Sequence, residues 1–211
     1  MLDDAWNRSR TRWRSDEQEE CLTWGARWTG HAFVAKLLHF CKAQSRGKIL
    51  EIGPGYGRIL EGLLKEKVPF EKYVGIELSP SRTRRLSKRF ADDHRISFLV
   101  DDVETFMLSN RFSLCFSSAT FSHLFPNFKK AAVNIREHLV ENGYLAFDTS
   151  PGHLGRFQSD GVTYGKDYEP EEIKKLLQES GYSQPIISSV NHGQDAHGQE
   201  VVLLFTAAQI I

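Results

Sequence analysis

Residues 49–57 read Ile-Leu-Glu-Ile-Gly-Pro-Gly-Tyr-Gly, an apolar run that stops beside a carboxylate and then turns through glycines at alternate positions. Glycine at Gly53, Gly55 and Gly57 lets the chain reverse sharply and brings its backbone close to a ligand that a Cβ would obstruct. Two further apolar runs also end on acids, residues 73–77 on Glu77 and residues 96–100 on Asp101-Asp102-Val103. Ionised carboxylates only accept hydrogen bonds, so such a set can hold hydroxyls and amines. Glu77 follows Gly53 by roughly the 20 positions that separate a glycine turn from a ribose-binding acid in nucleotide-binding sheets. An Asp at the third edge can accept from the exocyclic amine of adenine.

The spacing also discriminates among adenosine-bearing ligands. A dinucleotide turn has the form G-x-G-x-x-G and rests its pyrophosphate on a helix N-terminus. Here Arg58 stands where the third glycine would be, and Glu51 beside the turn would repel a pyrophosphate. A ligand with a positive end suits this turn. S-adenosylmethionine, with an ammonium, a sulfonium and no phosphate, is such a ligand. His123 and His153 follow the fourth and fifth apolar runs, where an imidazole with an ordinary pKa of about 6.5 could take the proton of a hydroxyl or an amine.

The elements that must carry these residues alternate in type. Residues 48–52 have the branched-apolar character of a buried parallel strand, and residues 58–67 have helical spacing in Ile59, Leu60, Leu63 and Leu64. Strands are expected at residues 73–77, 96–100, 112–117 and 143–148, with a helical segment over residues 128–139. A helix over residues 169–180 is signalled by Pro170, early acids and Gly181. Residues 186–190 and 201–206 should form the last two strands. Ahead of this lies a different stretch: residues 1–20 are highly charged, and residues 29–41 read as an amphipathic helix with Phe33, Val34, Leu37, Leu38 and Phe40 as its apolar set.

In this order, EIGPGYG, GIEL, DDVETF, FSSATFSHL and ENGYLAFD resemble the class I S-adenosylmethionine-dependent methyltransferases over roughly residues 45–205, the length of one such domain. The resemblance implies an α/β fold: a doubly wound, mostly parallel seven-stranded sheet of order 3-2-1-4-5-7-6, helices on both faces and an N-terminal helical lid. It divides the chain into a lid segment, residues 1–44, and a cofactor-binding domain, residues 45–211. It sets Gly53, Pro54, Gly55 and Gly57 against the methionine portion, with Glu51 supporting the loop. Glu77, with Leu78 beside it, would hold the ribose. Asp102 and Val103 would flank the adenine, Asp101 being a competing choice, and Ser117 would lie near the methionyl group.

Bulk properties narrow the function classes. With 27 basic and 27 acidic residues and a pI near 7.1, no global field recruits nucleic acid. Cys21, Cys41 and Cys115 are odd in number and far apart, which argues against a disulfide framework and a metal cluster. No run of about 18 apolar residues occurs, so a cytoplasmic protein without a membrane span is expected. The expected activity is methyl transfer to an O or N atom of a small-molecule acceptor, with specificity in residues 13–31, 120–125 and 149–168. Fourth-strand motifs of amino-methylating nucleic-acid enzymes are absent, Ser117-Ser118-Ala119-Thr120 standing in their place. The alternatives are an RNA or protein methyltransferase reading its substrate with Arg8, Arg10, Arg12 and Arg14 on an extended arm, and a non-catalytic S-adenosylmethionine-binding partner protein. Trp24 and Trp28 read as lid packing. The acceptor's identity and the oligomeric state carry no signal in the sequence.

Overall fold

A computed structural model describes residues 2–15, 30–41, 44–157, 161–194 and 198–211. Two helices, α1 (Leu2–Arg14) and α2 (His31–Cys41), precede an alternation of β1 (Lys48–Ile52), α3 (Arg58–Lys65), β2 (Lys72–Glu77), α4 (Pro80–Arg89), β3 (Ile96–Val100) and β4 (Phe112–Ser117). Then come α5 (Phe128–Glu137), β5 (Leu139–Thr149), a hairpin of β6 (Gly155–Phe157) and β7 (Tyr164–Lys166), α6 (Pro170–Glu179), β8 (Ile186–Gln194) and β9 (Glu200–Gln209). The main sheet has the order β3-β2-β1-β4-β5-β9-β8. Since the small hairpin stands apart, this is the expected 3-2-1-4-5-7-6 arrangement. β1 to β5 pair in parallel, and β9 lies antiparallel between β5 and β8.

Alternation along the strands builds a core on each face of the sheet. Leu50, Ile52, Val74, Ile76, Cys115, Leu145 and Phe147 pack with Phe128, Ala131 and Ile135 of α5 and Ile173 and Leu177 of α6. Ile49, Tyr73, Leu114, Phe116 and Phe205 face the other way, against Phe33, Val34 and Leu37 of α2 and Ile59, Leu60 and Leu63 of α3. Each such buried side chain contributes about 1.5–3 kcal/mol relative to exposure. The central strands are apolar on both faces because helices cover both, so they read as short continuous runs. β1 pairs with β2 on one side and β4 on the other, so strand order reverses there and opens a crevice at the strands' carboxyl ends.

Four local expectations need correction. Residues 2–14 form a helix, so the alternating arginines do not share a face: Arg10 and Arg14, four apart, both reach Asp102, while Arg8 is exposed. The segment after β5 folds into the β6–β7 hairpin. β5 begins at Leu139, earlier than the expected residue 143, with a register shift against β4. β8 and β9 run longer than residues 186–190 and 201–206, because their pairing continues to Gln194 opposite Glu200. Cys21, Trp24 and Trp28 lie outside the described residues.

Candidate functional site

A cavity of about 810 Å³ opens at the strand-order reversal. Its floor is the turn between β1 and α3. Gly53, Gly55 and Gly57 all have positive φ, at 67°, 58° and 83°. Gly53 is closed in: a Cβ there would stand 2.4 Å from the Thr120 hydroxyl. Gly55 is open, with nothing closer than 4.0 Å to such a Cβ, so glycine serves the left-handed backbone there and leaves the space to a ligand. We expect Gly53→Ala to push Thr120 out of the wall. Its affinity for S-adenosylhomocysteine, read by calorimetry, should fall about tenfold or more, given both the clash and the left-handed strain.

Glu77 closes the β2 side. Its carboxylate accepts from the backbone N–H groups of Gly55 and Ser79, each at 3.0 Å, so one side chain ties the glycine turn to the entry of α4. Burial pushes its pKa up, while the Arg82 guanidinium and the N–H groups of Ser79, Gly55 and Leu78 pull it back. The two bonds leave lone pairs on each oxygen for ligand hydroxyls. Leu78 and Pro54 line the cavity beside it.

Asp101, Asp102 and the buried Val103 line the third edge. Asp102 Oδ1 accepts from the Glu104 amide at 3.0 Å, and its Oδ2 is ion-paired with Arg10. Arg10 also pairs with Glu104, whose other oxygen lies 3.3 Å from Lys130 Nζ. The guanidinium of Arg10 stacks on Trp6 at 4.5 Å, and both line the cavity. Trp13, one helical turn further along α1, packs on the His123 ring with centroids 5.3 Å apart. Trp6, Arg10 and Trp13 thus form one helical stripe, at i, i+4 and i+7, that roofs the cavity.

His123, in the single 3-10 turn after β4, also lines the cavity. Its Nδ1 lies 3.0 Å from the Tyr164 carbonyl oxygen, which can only accept, so Nδ1 carries the proton. In the neutral ring the lone pair is therefore on Nε2. Tyr164 is held in turn by its own N–H, which donates to Ser9 Oγ of α1 at 3.2 Å. Lid, hairpin and histidine form one contact set.

Four sequence candidates stand elsewhere, the first being Gly57, which does not line the cavity and where a Cβ would meet Phe90 and Leu86. His153 is not brought to the cavity: its side chain is 76% exposed and 3.9 Å from Glu169, because the hairpin directs this segment outward. Ser117 is buried and donates to the Ile52 carbonyl at 2.7 Å, linking β4 to β1, while the next residue, Ser118, lines the cavity. Glu51 lies beneath the turn, fully buried, bonded to the Tyr73 hydroxyl. Burial raises its pKa from 4.5 to about 8, so near neutrality it is largely protonated, and its effect on the ligand is through packing more than charge.

That shift has a sign for stability. Between about pH 4.5 and about pH 8 the folded chain holds a proton on Glu51 that the unfolded chain has released, so stability falls as pH rises through that window. Glu51→Gln removes this titration. Urea unfolding across the window should show a shallower decline in the variant than in the parent chain.

Comparisons with known proteins point the same way. A family model described as a methyltransferase domain matches residues 49–143. The chain is thus similar over that stretch to methyltransferase domains, and its fold is that of the class I S-adenosylmethionine-dependent methyltransferases. Two malonyl-[acyl-carrier protein] O-methyltransferases of Ilyobacter polytropus are similar to this chain. One is 33% identical over 35% of the chain and 27% of its own length, the other 27% identical over 66% of the chain and 49% of its own. The chain thus spans less than half the length of these curated relatives. Among solved structures, the Burkholderia thailandensis 1,6-didemethyltoxoflavin-N1-methyltransferase, with that substrate and S-adenosylhomocysteine bound, matches with a TM-score of 0.68. It is 17% identical, with 99% of this chain and 85% of that one covered.

Sequence reasoning placed Arg10 on an extended arm, passed over Glu104, and did not pair Asp148 with Ser118. The stripe of Trp6, Arg10 and Trp13 was the one available signal, and it shows only once residues 2–14 are taken as a helix.

Proposed function

We propose that this methyltransferase moves the methyl group of S-adenosylmethionine to an O or N atom of a small-molecule acceptor and releases S-adenosylhomocysteine. The observation that carries the reading is one cavity, of a size that suits such ligands, lined together by the glycine turn, Glu77, Asp102 and His123. When bound, the cofactor supplies a methyl group already activated by the sulfonium charge, and the C–S bonding pair returns to sulfur as the acceptor's lone pair attacks in line.

The chain's part is mainly positioning, which can be worth an effective molarity on the order of 10⁵–10⁸ M. Glu77 holds the ribose hydroxyls. Asp102 and Val103 hold the adenine. Gly53, Pro54 and Gly55 bring backbone against the methionine portion, and Gly57, at positive φ beside Phe90 and Leu86, shapes the turn. His123 Nε2 takes the acceptor's proton where the acceptor is a hydroxyl or a protonated amine. The Trp13 indole N–H is buried and has no hydrogen-bond partner among the described residues, so it offers a donor to an acceptor lone pair. Among the described residues of the expected lid segment, α1 alone acts as the lid, its stripe excluding water from the reacting atoms, while α2 packs into the core against the sheet.

This roof also bears on the nucleic-acid reading. Arg10 is engaged with Asp102 and Glu104 in the cavity wall, and Arg14 is exposed with one nitrogen near Asp102, so the arginines do not form one array for a polyanion. No described helix is long and apolar enough to cross a membrane.

The test is calorimetric titration of the purified protein with S-adenosylmethionine, S-adenosylhomocysteine and NAD. The adenosyl pair should bind at about micromolar strength, about −8 kcal/mol, and NAD should not. Binding of NAD alone would overturn the reading.

A further inference from the structure

Behind the cavity wall lies a buried polar chain that the transfer step does not use. Asp148, near the end of β5, is fully buried. Its Oδ1 accepts from the Ala119 amide at 2.6 Å, and its Oδ2 accepts from the Ser118 hydroxyl at 2.9 Å. His192 of β8, also buried, places Nε2 at 3.0 Å from the same Oδ2. Ser118 Oγ accepts in turn from Arg58 Nη2 at 3.0 Å, and both of these residues line the cavity.

The directions of these bonds follow from the groups. A guanidinium and an amide N–H only donate, so Ser118 receives from Arg58 and sends its one proton to Asp148. Asp148 then accepts from Ser118 at Oδ2 and from Ala119 at Oδ1, with His192 Nε2 at the same Oδ2, and a buried polar group of this kind is held in place by having its bonds made. Its bonds lead two ways to the cavity. Through Ser118 they orient Arg58. Through Ala119 they pin a residue at φ 59°, a left-handed conformation that a non-glycine residue adopts only at a cost in strain. The turn so fixed carries Thr120, whose hydroxyl closes on Gly53.

We propose that Asp148 and His192 are positioning residues for the amino-acid end of the bound cofactor, holding Arg58 and the turn of residues 118–120 against the glycine loop from behind. This rests on the cofactor reading above. The adenosine end depends on Glu77 and Asp102 instead, so the two ends of the ligand should respond differently to the loss of this chain.

Two probes separate them. S-adenosylhomocysteine has the amino-acid end, and 5′-methylthioadenosine has the same nucleoside and sulfur without it. Calorimetric titration of the parent chain, Asp148→Asn and Ser118→Ala with each probe should show S-adenosylhomocysteine affinity falling about tenfold or more in both variants, as expected for a lost charge-assisted bond, with 5′-methylthioadenosine affinity unchanged. If Asp148→Asn does not fold, Ser118→Ala still disconnects Arg58 while leaving Asp148 bonded to Ala119 and His192. His192→Gln, which keeps an N–H toward Asp148, should bind S-adenosylhomocysteine better than His192→Leu, and the reverse order would overturn the role of His192. Equal loss for both probes would make the chain a general stabiliser, and no loss for either would make it irrelevant to the ligand. Either result overturns the proposal. A parent chain that binds neither probe overturns the cofactor reading itself, a different failure.

Discussion

Glu77→Ala is expected to reduce affinity for S-adenosylhomocysteine by about 10²–10³-fold, because bonds to an ionised group contribute about 1.5–3 kcal/mol each and two ribose hydroxyls are held. The loss has a second source in the structure: the same carboxylate anchors the Gly55 and Ser79 N–H groups, so its removal also loosens the turn. Glu77→Gln isolates the two. It keeps the volume and one acceptor oxygen, and should fall between the parent chain and the alanine variant. Calorimetry gives the affinities and thermal unfolding checks the fold, and an unchanged affinity in Glu77→Ala would remove the ribose assignment. Binding should also strengthen with rising pH through the folded pKa of Glu77, which burial has raised, since only the ionised form accepts from both hydroxyls.

The second large effect is on rate. His123→Ala should lower turnover by about 10²–10⁴-fold on a hydroxyl or amine acceptor, the contribution of a positioned general base, with cofactor affinity intact. The Tyr164 carbonyl sets the tautomer that makes this possible. Single-turnover kinetics on an acceptor found by screening, together with cofactor titration, separate this from a packing role against Trp13. A near-normal rate would return His123 to packing.

Much of the frame was legible because its causes are local. Strands β3 and β4 fall at residues 96–100 and 112–117, where short apolar runs stop at turns, and the positive-φ glycines lie where alternate glycines end an apolar run. Helix α1 was not legible from charge density, since its stripe of Trp6, Arg10 and Trp13 faces the cavity and finds its partners, Asp102 and His123, more than ninety positions away. His153 was misplaced for a related reason: its position after β5 marked it for the site, but the hairpin geometry turned it outward.

Glu51, Glu77 and Asp102 illustrate the division. The types of Glu77 and Asp102, their places at strand ends and the glycine spacing identify a turn for a ligand that carries adenosine, because strand alternation and turn sterics act over a few residues. Only the folded chain decided that Glu51 sits beneath the turn with Tyr73, that Asp102 is shared with Arg10, and that Asp148 reaches Ser118 and His192. Those outcomes depend on which elements the crossover connections bring side by side, and on the burial that follows, neither of which a run of neighbouring residues contains.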